Sequence, residues 1–126
     1  MKILNNVGEI AHQGDIFITK IAPNSLAIPK EQKITKKHGK FLVVAQSETL
    51  GNSHVIEHPE RVELIPIEIT DEVQRLLLRV KESSRMLHVN NDCIEKGHDA
   101  IVYTPGDYEL RTQREKRGMF LRRVVD

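Results

Sequence analysis

The apolar residues of this chain come in short bursts, each too brief for an independent helix. Ile16-Phe17-Ile18-Thr19-Lys20-Ile21, Phe41-Leu42-Val43-Val44-Ala45, His54-Val55-Ile56-Glu57-His58 and Met86-Leu87-His88-Val89 are four to six residues long. All lean on β-branched and aromatic side chains, the residues that suit a pleated, half-buried surface. Turn formers stand between them: Gln13-Gly14-Asp15, Pro23, Pro29, Gly51-Asn52-Ser53, Asn90-Asn91-Asp92 and Pro105-Gly106. Many short strands separated by turns predict a mainly β fold, a small β-barrel or β-sandwich.

Individual segments refine this expectation. Phe41 to Ala45 does not alternate, which suits a strand covered on both faces. Arg61 to Ile69 alternates in part but contains Pro66, which cannot donate to a ladder, so it belongs at an edge or a bulge. Pro105-Gly106 fits a type II turn between strands over 100–104 and 108–113. Met119 to Val125 reads as a closing strand, and Lys30 to Lys40, with five lysines and no aromatic residue, as a solvated loop. One helix is expected over about residues 71–83. Val73, Leu76, Leu77 and Val80 follow the i, i+3, i+4, i+7 spacing, and Asp71 with Gln74 resembles a capping box.

A length of 126 residues predicts one β-rich domain, 1–126, with no repeat or linker to divide it. The single cysteine excludes an internal disulfide framework and a four-cysteine zinc site. Nineteen basic and eighteen acidic residues leave a net charge of +1, a balance that attracts neither nucleic acid nor membrane. No run of 18 apolar residues marks a spanning helix, and Met1 to Asn6 has no stretch suited to a signal peptide. A cytoplasmic or virion location follows as the expectation.

Six histidines raise the question of a metal. His54 and His58, four apart, would share an ion on a helix; on a strand they are roughly 13 Å apart and cannot. A composite site of His54, His88 and His98 with a carboxylate such as Glu48 or Asp99 remains the alternative, taking one divalent transition metal. The plainer reading is scattered histidines bonded to backbone and no cofactor. Cys93 lies near Asp92 and Glu95, a negative setting that disfavours the thiolate. Ser47 and Ser53 lack a Gly-x-Ser-x-Gly elbow, and no phosphate cradle or dinucleotide fingerprint is present. Asp15, Glu48 and Asp107 are candidate acids or bases that nothing in the sequence pairs.

The C-terminal part is basic: Arg111, Arg114, Lys116, Arg117, Arg122 and Arg123 against Glu115 alone. On a strand these alternate between faces rather than forming one stripe. Few aromatics accompany them, so single-strand stacking on nucleic acid is not expected. Arg111, Arg114, Arg117, Arg122 and Arg123 suit polar contacts between protein subunits instead.

Three segments together resemble a small, uncharacterised β-rich family of bacterial and phage proteins. They are Gln13-Gly14-Asp15, Ala45 to Ile56 with Gly51-Asn52-Ser53-His54 at its centre, and Pro105-Gly106-Asp107-Tyr108 running on to Gln113-Arg114-Glu115. In that family the middle motif has the form Gly-His-x-His, and a cluster like His-Glu-Glu-His precedes the third. Gly51-Asn52-Ser53-His54 and Glu95-Lys96-Gly97-His98 keep one histidine of each pair. The resemblance implies a β-rich fold and no particular reaction. Gly51 to His54 and Pro105-Gly106 are also similar, more weakly, to fragments of the cupin motifs, though no His-x-His pair is present.

The function expected from these features is non-enzymatic. It is a structural or assembly module, such as a phage capsid accessory or decoration protein, working through homo-oligomeric protein contacts with no membrane or nucleic-acid partner. Exposed β-edges, which self-associate unless covered, support that expectation. The alternative is a cupin-like metal-binding enzyme or sensor that uses His54 and His98.

Overall fold

The computed structural model of the protein describes residues 2–29, 32–46, 52–90, 93–94, 100–117 and 120–123. Its strands in chain order are β1 (Lys2–Leu4), β2 (Ile10–Gln13), β3 (Ile16–Ile21), β4 (Lys37–His38), β5 (Phe41–Gln46), β6 (Asn52–Ile56), β7 (Val62–Ile69), β8 (Val73–Val80), β9 (Ser84–Asn90), β10 (Cys93–Ile94), β11 (Ile101–Tyr103), β12 (Gly106–Arg117) and β13 (Phe120–Arg123). They form two sheets. The first runs β1-β11-β9-β6-β5-β4 with β10 beside β9, and the second β2-β3-β12-β8-β7 with β13 beside β12. All pairs are antiparallel except β1 with β11. The described strands close no barrel, so of the two expected architectures the chain adopts the sandwich.

Local sequence explains the hairpins. Gly14-Asp15 is a two-residue loop between Gln13 and Ile16, which pair across it, and Gly14 has φ 57°. A glycine at the first loop position with positive φ is the type II′ requirement, and this turn matches the twist of its strands. Strand β7 is an edge, with its register shifting between Pro66 and Glu68, as a proline without a donor demands. The β7–β8 connection is closed by Thr70, whose Oγ1 accepts from the N–H groups of Glu72 at 3.2 Å and Val73 at 3.0 Å.

The helix expected over 71–83 is absent, and that stretch is strand β8. Its inward residues are Gln74, Leu76, Leu78 and Val80, all buried, while Leu77 is buried on the opposite face. The helical set Val73, Leu76, Leu77 and Val80 draws members from both faces of a period-two pattern. A strand with an apolar inner face and two apolar residues, Val73 and Leu77, among the arginines of its outer face can therefore satisfy helical spacing by accident. Among the described residues the only helical turn is the 3-10 turn Pro59–Arg61.

The main core lies between the sheets and includes Leu4, Ile16, Ile18, Leu42, Val44, Ile56, Leu64, Leu76, Leu78, Met86, Tyr103 and Tyr108. A second cluster, Val43, Val55, Leu87 and Val89, occupies the reverse of the first sheet. Strand β5 contributes to both, which accounts for its unbroken apolar run.

Two other expectations change. Pro105-Gly106 does not join two strands of one hairpin: β11 belongs to the first sheet and β12 to the second. Gly106 has φ 142°, far beyond the roughly +80° of a type II turn, and it forms a corner between the layers. A Cβ there would lie 3.0 Å from Lys20 Cε. The lysine-rich stretch is anchored rather than loose. Ile34 packs on the core and its N–H donates to the Leu64 carbonyl at 2.7 Å, while Lys33 pairs with Glu63 at 2.9 Å.

Candidate functional site

One end of the core is polar. On the second sheet, Gln13, Ile16, Thr112 and Gln74 fall in one row of register across β2, β3, β12 and β8, and all four are buried. Facing them on the first sheet, His54 of β6 pairs in register with His88 of β9, and both are buried. Asp15, in the β2–β3 loop, is also buried. Six of the ten buried polar or charged side chains among the described residues, Gln13, Asp15, His54, Gln74, His88 and Thr112, thus belong to this end. Burying such groups is unfavourable unless hydrogen bonds compensate, so their concentration marks a site.

The geometry around His54 is specific. Gln13 Nε2 donates to the Met86 carbonyl at 3.3 Å, which orients its amide and leaves Oε1 as an acceptor. His54 Nδ1 lies 2.8 Å from that Oε1 and must carry the proton to donate to it. His54 Nε2 lies 3.9 Å from Asp15 Oδ1. The His54 and His88 rings stack, with centroids 4.7 Å apart and planes inclined by 18°.

Of the histidines proposed as metal ligands, the fold therefore brings His54 and His88 together across the β6–β9 pairing. The expectation that the imidazoles are all scattered is corrected at that point. His98, Glu48 and Asp99 lie outside the described residues. His58 follows β6, sits beside Glu57 and Glu60 at 3.5 and 3.3 Å, and does not join the cluster. The carboxylate near His54 is Asp15, which sequence spacing left unpaired. Its partner is 39 residues away and adjacent only through sheet packing. Asp107 is otherwise engaged, in a bidentate pair with Arg79 at 3.1 and 3.2 Å. No group of three His, Cys, Asp or Glu side chains suited to one metal occurs among the described residues.

The reverse of the same end is an exposed surface. On the outer face of the second sheet, His12, Phe17, Arg111 and Arg75 form the next row of register across β2, β3, β12 and β8. Phe17 is 54% exposed and Ile10, on the edge strand β2, 64%. His12 tilts against Phe17 with centroids 6.2 Å apart. Arg75 is held by Glu109 at 2.7 Å and Glu68 at 3.4 Å, and the Glu109 hydrogen bond raises its pKa further. Arg111 is exposed and makes no ion pair among the described residues. Beyond Gln113, strand β12 leaves the sheet and pairs only with β13 among the described strands, Arg114 opposite Arg123 and Arg117 opposite Phe120. The predicted contact arginines thus divide. Arg111 stands beside Phe17 on the sheet, and Arg114, Arg117, Arg122 and Arg123 occupy positions on a two-stranded ribbon.

These features define a two-sheet β-sandwich with a polar histidine end backed by an exposed aromatic and arginine surface. The chain belongs to the family described as Domain of unknown function (DUF8820), whose model matches residues 12–113. The match takes in Gln13, Asp15, His54 and His88 and stops at the last residue of β12 in register with β8, so the ribbon lies beyond it. No curated protein and no solved structure matches the chain.

Proposed function

We propose that the protein is a self-associating contact module whose working surface is the outer face of β2, β3 and β12 with the ribbon that extends from it. The observation that carries this reading is Phe17, half exposed in the middle of a sheet face and flanked by exposed Ile10 and exposed Arg111. An aromatic ring beside an aliphatic residue and an exposed guanidinium is the composition that dominates binding energy at protein interfaces. The ribbon adds a second argument. A two-stranded hairpin on its own is marginally stable in water, so docking against another subunit supplies the missing contacts. Strand β2 ends its sheet and leaves backbone groups available for pairing with another chain.

A standard interface buries about 800 Å² on each partner. That is about a tenth of the 7474 Å² exposed here, within the reach of this face. Decoration or bracing of a larger protein shell is the role we assign to such a module, following the resemblance in its motifs to phage proteins.

The test is molar mass in solution by light scattering across micromolar concentrations. A dimer or higher oligomer is expected, and Phe17→Asp or Arg111→Glu should return it to the mass of one chain. A wild-type protein that stays monomeric throughout removes the reading.

A further inference from the structure

We propose that the cavity between the lysine-rich stretch and the Pro59–Arg61 turn binds a small amphipathic organic anion, a carboxylate head on an aliphatic body. The inference is independent of self-association, because the cavity lies at β7, the edge of the second sheet opposite β2. Backbone hydrogen bonds build it. Strand β4 ends the first sheet and β7 the second. Residues 33–36 strap the two together: the Ile34 N–H donates to the Leu64 carbonyl at 2.7 Å, and the Lys36 carbonyl accepts from the Val43 N–H at 2.8 Å. Between this strap and the turn remains a cavity of about 410 Å³. Ligand pockets span about 300–1,000 Å³, so this one suits a small molecule.

Its lining sets apolar surface beside positive charge. Ile34 and Pro59 are half-buried and are backed by the core residues Leu42, Val62 and Leu64. Lys33, Lys37 and Lys40 line it as well, against Glu60 and Glu63. Both glutamates are engaged. Glu63 is held by Lys33 at 2.9 Å and Lys81 at 3.2 Å, and Glu60 lies 3.3 Å from His58 Nδ1. Lys37 and Lys40 form no ion pair among the described residues, and Lys40 Nζ lies 5.7 Å from the centre of the Phe41 ring. The β4–β5 register accounts for this placement. Gly39, at φ 62°, and Lys40 form the loop between His38 and Phe41, which pair, and Lys37 stands opposite Leu42. Opposed residues share a face with Cβ atoms about 4.5–5.5 Å apart, so the Lys37 stem starts beside a core leucine.

That juxtaposition selects the ligand. Apolar walls favour an aliphatic body, at about 25 cal/mol per Å² removed from water, and give a bare inorganic anion nothing. The lysine ammonium groups favour a negative head and repel a cation. Near the surface each charge contact contributes only about 0.2–1 kcal/mol, so head and body are both needed.

The test titrates sodium decanoate into the isotope-labelled full-length protein, with calorimetry for stoichiometry and backbone amide shifts for location. One equivalent should bind, moving amides within residues 33–42 and 60–64. Acetate carries the head alone and decyltrimethylammonium the body with the opposite charge; each should bind about 10-fold more weakly or worse. The double substitution Lys37→Glu with Lys40→Glu, at exposed positions, should weaken decanoate about 10-fold. Ile34→Ser should weaken it through the wall instead, and circular dichroism melts identify either variant if it fails to fold. Shifts confined to other faces, equal binding of decyltrimethylammonium, or no decanoate binding by the wild-type protein overturns the proposal.

Discussion

Replacing Asp107 with asparagine should remove about 3 kcal/mol of stability, and the loss should vanish in acid. The carboxylate is only 5% exposed. It accepts from Arg79 Nε at 3.1 Å, Arg79 Nη2 at 3.2 Å and the Asn24 N–H at 2.9 Å. Burial by itself pushes its pKa up. The Arg79 hydrogen bonds, the Asn24 N–H and the Arg79 charge outweigh burial and hold it below the ordinary aspartate value. Asparagine can retain the oxygen that accepts from Arg79 Nη2 and Asn24 but turns an NH2 group toward Arg79 Nε, so one charge-assisted bond is lost and the other two lose the carboxylate charge. Each contributes about 1.5–3 kcal/mol. Arg79 is 29% exposed and can turn toward water, which places the effect at the low end, about 3 kcal/mol or roughly 12 °C in Tm.

The sign follows from the depressed pKa. The stabilisation is complete above the unfolded value of about 3.9 and disappears as pH falls through the folded one. Urea unfolding of wild type and Asp107→Asn should differ by the full amount at pH 7 and converge toward pH 2. Arg79→Met should couple with Asp107→Asn rather than add to it. A difference below about 0.5 kcal/mol at pH 7, or one that persists unchanged in acid, would refute the reasoning.

Three further outcomes follow from the fold. Leu78→Ala, at a fully buried inward position of β8, should cost about 2–5 kcal/mol in denaturant unfolding. Gly14→Ala places a side chain where φ is 57° and should cost about 1–3 kcal/mol by thermal melting, with the β2–β3 hairpin loosened first. Burial, and next the neighbouring Tyr108, push the Tyr103 pKa well above 10.0. Its phenol should stay protonated until the protein unfolds in alkali, as read by phenolate absorbance. Because the folded pKa is raised, stability falls as pH rises above the unfolded value.

Much of the fold could be read in the residues, and the reasons differ by segment. Pro66 placed β7 at an edge with an irregular ladder because a missing N–H acts locally, whatever surrounds it. Phe41 to Ala45 showed its burial on both faces for the same reason: every side chain was apolar. The stretch from 71 to 83 misled because Val73 and Leu77 on the outer face of β8 join Leu76 and Val80 of the inner face to make a helical subset of a period-two pattern. The fate of Pro105-Gly106 depended on which sheet each neighbour joins, and that is decided by packing rather than by turn chemistry. The histidine end was half visible. His54 and His88 were singled out by type, but their stacking arises from the β6–β9 register, and Asp15 joins them only when the two sheets close. Phe17 carried no mark in the sequence, since alternation predicts that one face of β3 is wet without saying which ring will be left there.

The hydroxyl of Tyr108 donates to the Thr104 carbonyl at 2.7 Å and lies 3.2 Å from the carbonyl of Leu4, 104 positions earlier in the chain, and β3 likewise waits for β12 to complete its sheet. On a ribosome adding about 5–20 residues per second, the N-terminal hairpin is exposed for about 5–20 s before its neighbour emerges. Phe17 and the edge of β2 are on view throughout that interval. Synthesis is therefore a stage at which this edge and ring have no β12 beside them to complete the sheet.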